Sequence, residues 1–483
     1  MTKPARHGVS RRAFMSSGFA AAALAAGFSP SRVFGQQFAG ETVRFMSHPG
    51  GIRPIIDHQV DYIKETLGIT IEIIEAGDLV SWQDSLKDLR AGGSQFDVVM
   101  HFPRYNGELV TAGYLRPMDD LIEKYQAQAL FDNIVEYYRI LYCLWDGNTI
   151  AAPVDGDVAM LYYRKDAFEN PDHQAKFKAE KGRDLVVPDN WDDFYEVAEF
   201  FTGWDWAGSG KTGYGFQTSS LDRGFIEQQW APMMGSYGGA WMDDNASPGW
   251  NNDAGVKALE GTKRLLASAP PGSASMNWGN TMESFSSEDI ALTLWYMDVG
   301  RGGLGMTEGS PLEKIGYAEW PGATVDGVRR NFNSMFFGRV VGISEFAANP
   351  DAAFAVIMTL LTPERRVLSL DDVASGSDMF LKTDYDPANF TNLSPAPEFL
   401  VAAQQVLSKG FREMTMPAVG EYIDTLQGAI HGYVNGGGDA AAALQEAADR
   451  WEAITDRYGR DQQKAYWAAV KQSYLDAGLV IAG

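Results

Sequence analysis

The sequence predicts an α/β fold with two doubly wound lobes, on three observations. Its 483 residues suffice for two domains or one bilobal unit, and a 45% hydrophobic, 12% aromatic composition supplies sizeable cores. In the first part of the chain, short apolar runs of strand length alternate with segments of helical period. That order makes a parallel sheet with helices on its faces. The alternation then restarts after residues 151–168 (AAPVDGDVAMLYYRKDAF). This stretch holds a turn at Pro153, carboxylates at Asp155 and Asp157, a strand-like apolar run and a charged exit, and it reads as a crossing between lobes.

Residues 1–35 read as an export leader. They carry five basic side chains (Lys3, Arg6, Arg11, Arg12, Arg32) and no acid, and residues 10–15 (SRRAFM) resemble the twin-arginine motif. The alanine-rich run that follows is too short to span a membrane, and Gly35 offers a small residue for cleavage. Removing the leader takes the formal charge from −23 to −28, because five positive charges leave. Residues 42–46 (TVRFM) alternate as a strand. Ile56, Val60, Ile63 and Leu67 keep helical spacing until Gly68 stops them. Residues 69–74 and 96–100 are further strands, with a helix marked by Trp82, Leu86 and Leu89 between them. In such sheets ligands lie beyond the carboxyl ends of the strands, so residues 47–53 and 101–106 (HFPRYN) are the loops to watch.

Past the crossing, Asn190 caps a helix with Asp192 and Asp193 in its first turn. Residues 208–212 (GSGKT) look like a phosphate loop, but Asp205 stands where the motif needs glycine, so they read as an ordinary loop. A helix over 253–268, strands over 290–296, 315–321 and 335–343, a helix over 352–361 and a late helix capped by Asp439 complete the pattern.

The strongly negative charge offers no basic stripe for nucleic acid. Cys143 has no cysteine partner and reads as a small buried hydrophobe. Asp155 and Asp157 raise a glycosidase reading. Carboxylates two residues apart on a strand share a face about 6–7 Å apart, on one side of a sugar rather than across its scissile bond. Tyr162 and Tyr163 raise an iron reading, which fails because adjacent strand residues face opposite ways.

Several motifs in order resemble the extracellular solute-binding proteins of ABC importers, in the family that includes the maltose-binding protein. They are Phe96-Asp97-Val98-Val99, Gly113-Tyr114-Leu115-Arg116-Pro117-Met118-Asp119, the crossing from Pro153 to Asp166, the helix start at residues 188–194, Ser236-Tyr237-Gly238-Gly239, and Gly342-Ile343-Ser344 with Asn349-Pro350-Asp351. The insertions near 170–188 and 201–213 and the twin-arginine leader depart from the usual pattern.

The resemblance implies a type II periplasmic-binding-protein fold, two α/β lobes on a multi-strand hinge. It divides the chain into a leader (1–35), lobe 1 (36–152 plus about 314–365) and lobe 2 (153–313 plus about 366–483). It implies a monomeric, non-catalytic protein of the periplasm, without cofactor or metal, that captures a small molecule, expected to be a carbohydrate, and delivers it to membrane permease subunits. A non-sugar solute, such as a polyol or polyamine, is the alternative. The twin-arginine translocase is the implied partner during export. The contacts it implies are His101, Phe102, Arg104 and Tyr105 in the first loop, Asp155 and Asp157 at the crossing, and Trp295, Tyr296 and Asp298 at a strand end. Phe337, Gly338 and Arg339 at the hinge and Trp230, Trp241 and Tyr422 in the second lobe complete the set. Aromatic faces cover the apolar faces of a pyranose, while carboxylates, amides and guanidiniums pair its hydroxyls.

Overall fold

The computed structural model describes residues 27–75, 91, 95–218, 221–276, 278–287, 289–301, 314–335 and 338–479. The expected helix around Trp82 and the candidate Phe337 lie outside the described residues.

The first sheet is built from β1 (Thr42–Ser47), β2 (Thr70–Glu75), β3 (Val98–His101), the short β4 (Leu115–Arg116) and β5 (Ala151–Asp155). The second contains β6 (Met160–Arg164), β7 (Tyr214–Thr218), β8 (Ile290–Trp295) and β9 (Ile315–Ala318). The chain then returns to the first sheet as β10 (Arg339–Ser344). In that sheet the order is β2-β1-β3-β10, with β4 and β5 both pairing β10. β1 runs parallel to β2 and β3, and β10 antiparallel to β3, β4 and β5. The second sheet has the order β9-β6-β8-β7.

Local chemistry fixes these elements. The helix Val60–Leu67 buries Ile63 and Leu67 and ends at Gly68, whose φ of 73° suits glycine and whose Cβ, if present, would meet the Ala39 Cα at 2.6 Å. Asp97, just before β3, accepts from the Arg44 backbone N–H (2.8 Å), the Arg44 guanidinium (2.9 and 2.7 Å) and the Ala348 N–H (2.9 Å), tying β1, β3 and the chain after β10 together. Asn190 caps the helix Trp191–Phe200 and Asp439 caps Ala440–Tyr458, as their sequence positions predict. The helix Pro350–Leu361 is buried on nearly every side and packs against β5 and β10. In the 208–212 loop, the Asp205 carboxylate accepts the Ser209 and Gly210 N–H groups (2.9 Å each), so the donors a phosphate would need are already taken.

Four expectations change. β10 begins at Arg339, after a separate short strand Asn333–Ser334 that pairs with Gly410–Phe411 rather than with either main sheet. Ile315–Ala318, placed by the resemblance in lobe 1, hydrogen-bonds β6 in the second sheet. The segment from Arg366 to Tyr385, placed in lobe 2, packs on the first lobe: Val135 N–H donates to the Phe380 carbonyl (2.9 Å) and Leu381 bridges Ile134. Finally, Phe34, assigned to the leader, is buried with its ring 4.8 Å from that of Tyr125 and 6.5 Å from that of Phe354.

Candidate ligand cleft

β5 ends in the first sheet at Asp155 and β6 starts in the second at Met160, so residues 156–159 cross between the lobes. Both crossing carboxylates converge on one cation. Arg339 Nη1, at the start of β10, lies 3.7 Å from Asp155 and 3.8 Å from Asp157. Both carboxylates implied as contacts thus sit on one guanidinium. Asp155 also accepts the Asp378 backbone N–H at 2.7 Å. Gly338 permits this approach: a Cβ there would meet Tyr142 Cε2 at 2.3 Å and the Asp155 carbonyl oxygen at 2.8 Å.

The first-lobe loop joins the same group. His101, at the end of β3, is fully buried, with Nε2 2.8 Å from Asn106 Oδ1 and Nδ1 3.2 Å from the Val99 carbonyl. Burial pushes its pKa down to about 4, so the ring is neutral. Phe102 takes the Arg339 guanidinium on its ring at 4.4 Å and lies 5.6 Å from His48, a buried imidazole held neutral by its burial and by Arg339. Arg104 reaches across the lobes to Glu227 (3.0 Å) and to Glu413, all three side chains nearly buried. Burial raises both glutamates, Glu413 to about 8. Tyr105 lies beside Arg104 in the same short turn.

From the second lobe, the Tyr296 hydroxyl donates to Gln228 Oε1 (2.6 Å) and lies 3.0 Å from Ser334 Oγ. Asp298 is buried, and burial raises its pKa to about 7 against the pull of Arg301. Arg301, completely buried, donates to the Leu370 and Ser375 carbonyls of the first lobe and stands 3.7 Å from Asp378. Two guanidiniums thus bridge the lobes in opposite directions, Arg104 from the first and Arg301 from the second.

Beside this network, a cavity of about 110 Å³ opens between the lobes. Phe102, Tyr105 and Phe225 give it aromatic walls, and Arg104, Arg223, Asp424 and Gln427 give it polar ones. Trp241 lies near, its Nε1 donating to the Arg412 carbonyl and its ring 5.8 Å from Phe411.

Three candidates are not brought to the cleft. Trp230 donates to the Gly255 carbonyl (3.2 Å) and packs on Trp250, and Tyr422 packs on Trp451 with its hydroxyl 2.9 Å from Thr455. Both belong to the helical core of the second lobe. Trp295 stacks on Phe285 at 5.9 Å and reaches the site only through its side-chain hydrogen bond to Asp298. Their apolar periodicity is the same for a core ring and a stacking ring, so spacing alone could not separate the two.

The sequence reading missed His48, Glu227, Gln228, Arg301, Asp378 and Glu413. One signal was present: residues 227–229 (EQQ) interrupt an otherwise apolar helix, Ile226–Ser236, and are buried there. Asp378 and Glu413 lie in irregular segments with no local pattern, and only the fold brings them in.

Two α/β lobes, crossed by the chain at residues 156–159 and facing each other through buried polar groups, define a hinged binding protein. The chain belongs to the family of bacterial extracellular solute-binding proteins, whose model matches residues 52–366. It is 21% identical over 354 residues to a “Probable amino-acid ABC transporter periplasmic-binding protein” of Sinorhizobium fredii, covering 70% of this chain and 74% of that one. Among solved structures it resembles a solute-binding protein of Agrobacterium radiobacter in complex with ribitol (21% identity, TM-score 0.70, 86% of this chain and 99% of that one). It also resembles maltose-bound MalE3 of T. maritima (18%, 0.70, 86% and 100%) and a solute-binding protein of Agrobacterium vitis with bound D-mannitol (18%, 0.69, 87% and 99%). The two-lobe, maltose-binding-protein-like fold is thus shared, and the chain is the solute-binding subunit of an ABC transporter, a binding protein rather than an enzyme. No helix among the described residues is long and apolar enough to cross a membrane.

Proposed function

We propose that this chain captures a polyhydroxylated solute, a sugar or polyol, in the periplasm by closing its two lobes, and hands it to the permease subunits. The observation that carries the reading is the interlobe cavity, where three aromatic walls meet two arginines, an aspartate and a glutamine. Aromatic faces suit the C–H faces of such a ligand and the polar groups suit its hydroxyls. Closure is driven by contacts made only when both lobes meet the ligand, a hinge motion about the crossing at residues 156–159. The twin-arginine pattern supports export across the inner membrane in the folded state. The likeness to a probable amino-acid transporter protein of Sinorhizobium fredii, together with the carboxylates at the hinge, favours a second reading, a smaller amine-bearing solute.

A thermal-shift screen of the mature protein against polyols, mono-, di- and oligosaccharides, amino sugars, amino acids and polyamines tests the reading. A ligand at a hundred times its Kd stabilises by about 2.7 kcal/mol, a readily measured shift. Stabilisation by hydroxyl-bearing compounds is expected. A screen in which only amines without hydroxyls act overturns it.

A further inference from the structure

The hinge holds more negative charge than its own cations balance. Asp155, Asp157, Asp298 and Asp378 are each at most 3% exposed, and Arg301 and Arg339 are the guanidiniums set among them. A third buried guanidinium, Arg366, acts on Asp155 and Asp378 but stands beside a fifth buried carboxylate, Asp384, at 3.6 Å, donating to the Asp378 carbonyl and lying 4.5 Å over the Phe380 ring. Five buried carboxylates against three guanidiniums leave an excess of two negative charges in a dry site, an arrangement that is costly without a further cation or bound protons.

A second observation points the same way. Asp378 is completely buried, and among the described residues neither of its oxygens, nor Asp155 Oδ2, accepts a hydrogen bond from an N–H or a hydroxyl. Arg301 Nε, at 3.7 Å, stands beyond hydrogen-bond reach of Asp378, and the hydrogen-bonding neighbour of that carboxylate is the carboxyl of Asp157, which serves only while protonated. Asp378 N–H donates to Asp155, so the three oxygens lacking donors belong to adjoining groups. A hydroxyl brings one donor and no charge. An ammonium brings three donors, one for each of these oxygens, and one positive charge, which offsets one of the two excess negative charges.

We propose that the solute carries a primary ammonium group, seated on Asp155, Asp157 and Asp378 with Asp298 behind them. This deepens the capture reading above and rests on it. The uncharged part of the solute then extends past Phe102, which borders both Arg339 and the aromatic cavity. An amino sugar, an amino polyol, an amino acid and a polyamine all offer this group.

The test is calorimetric titration of the full mature protein with compounds matched but for the nitrogen: D-glucosamine against D-glucose and N-acetyl-D-glucosamine, and glucamine against sorbitol, with serine and putrescine as ammonium compounds of other classes. At least one ammonium compound is expected to bind at least about tenfold more tightly than its uncharged counterpart, a difference of about 1.4 kcal/mol. In Asp378→Asn and, separately, Asp157→Asn, both checked for native far-ultraviolet dichroism, that preference is expected to fall to near parity. The second variant keeps the test open if the first does not fold. Equal or tighter binding of the uncharged partners, or no binding by any ammonium compound, overturns the proposal. Binding by serine or putrescine alone upholds the ammonium site and overturns the polyhydroxylated reading, whereas binding by glucose or sorbitol alone does the reverse.

Discussion

Arg339 holds Asp155 and Asp157 at 3.7 and 3.8 Å in a site where all three side chains are buried. At an effective dielectric near 20 each such pair is worth about 4 kcal/mol, comparable with the cost of drying the ions, so the trio is stable only while complete. Arg339→Met strands two carboxylates and is expected to lower unfolding stability by about 3–5 kcal/mol, read from urea denaturation. Gly338→Ala is also expected to destabilise, because the backbone oxygen of Asp155 cannot retreat as a flexible side chain could; a lowered Tm checks this. At this scale the hinge was readable: Asp155, Asp157 and Arg339 stand at motif positions. The aromatic candidates were not, since Trp230 and Tyr422 satisfy a core and a cleft equally well until their partners, Trp250 and Trp451, are known.

The elements that close the molecule are irregular segments brought together by strands. Arg104 in the turn after β3 meets Glu227 at the start of one second-lobe helix and Glu413 ahead of another. Arg104→Ala leaves two buried acids without their cation. It is expected to shift the lobes apart, seen as a larger radius of gyration in solution scattering together with weaker ligand binding. The same contact has a pH signature. Burial raises Glu413 from its ordinary 4.5 to about 8, so between those values the native state holds a proton that the unfolded chain has lost. Its contribution to stability therefore falls as pH rises through that window, and is greatest below it. Arg104, Glu227, Arg412, Tyr142, Tyr296 and Tyr474 are charged and titratable groups around it. Strand and helix positions were legible from period and caps. The lobe of residues 366–385 was not, because it depends on backbone bonds such as those from Val135 to Phe380, Lys382 to Asn133 and Gly376 to Gly51, contacts more than 200 residues apart that leave no mark in local composition.

Across the whole molecule, the packing of Phe34 against Tyr125 and Phe354 bears on processing. A cut after Gly35 would remove a buried ring from the first lobe and leave a gap of the kind that costs several kcal/mol. Cleavage is expected upstream of Phe28, itself packed on Phe34 at 6.2 Å, and the intact mass of the exported protein checks this. The two-lobe plan was legible because length, the repeated strand-helix order and the polar crossing all agree. The depth of the interlobe contact was not, because no local pattern shows that Arg301 will find backbone carbonyls about 70 residues further along.

The contact between the Asp157 and Asp378 carboxyl groups has a thermochemical consequence. If a ligand group takes the place of the proton between them, that proton passes to the buffer. The heat measured for binding then includes the buffer's own heat of protonation. Titrations of one ligand in phosphate and in Tris are expected to give the same affinity but different apparent enthalpies, and the slope of enthalpy against buffer ionisation heat counts the protons released.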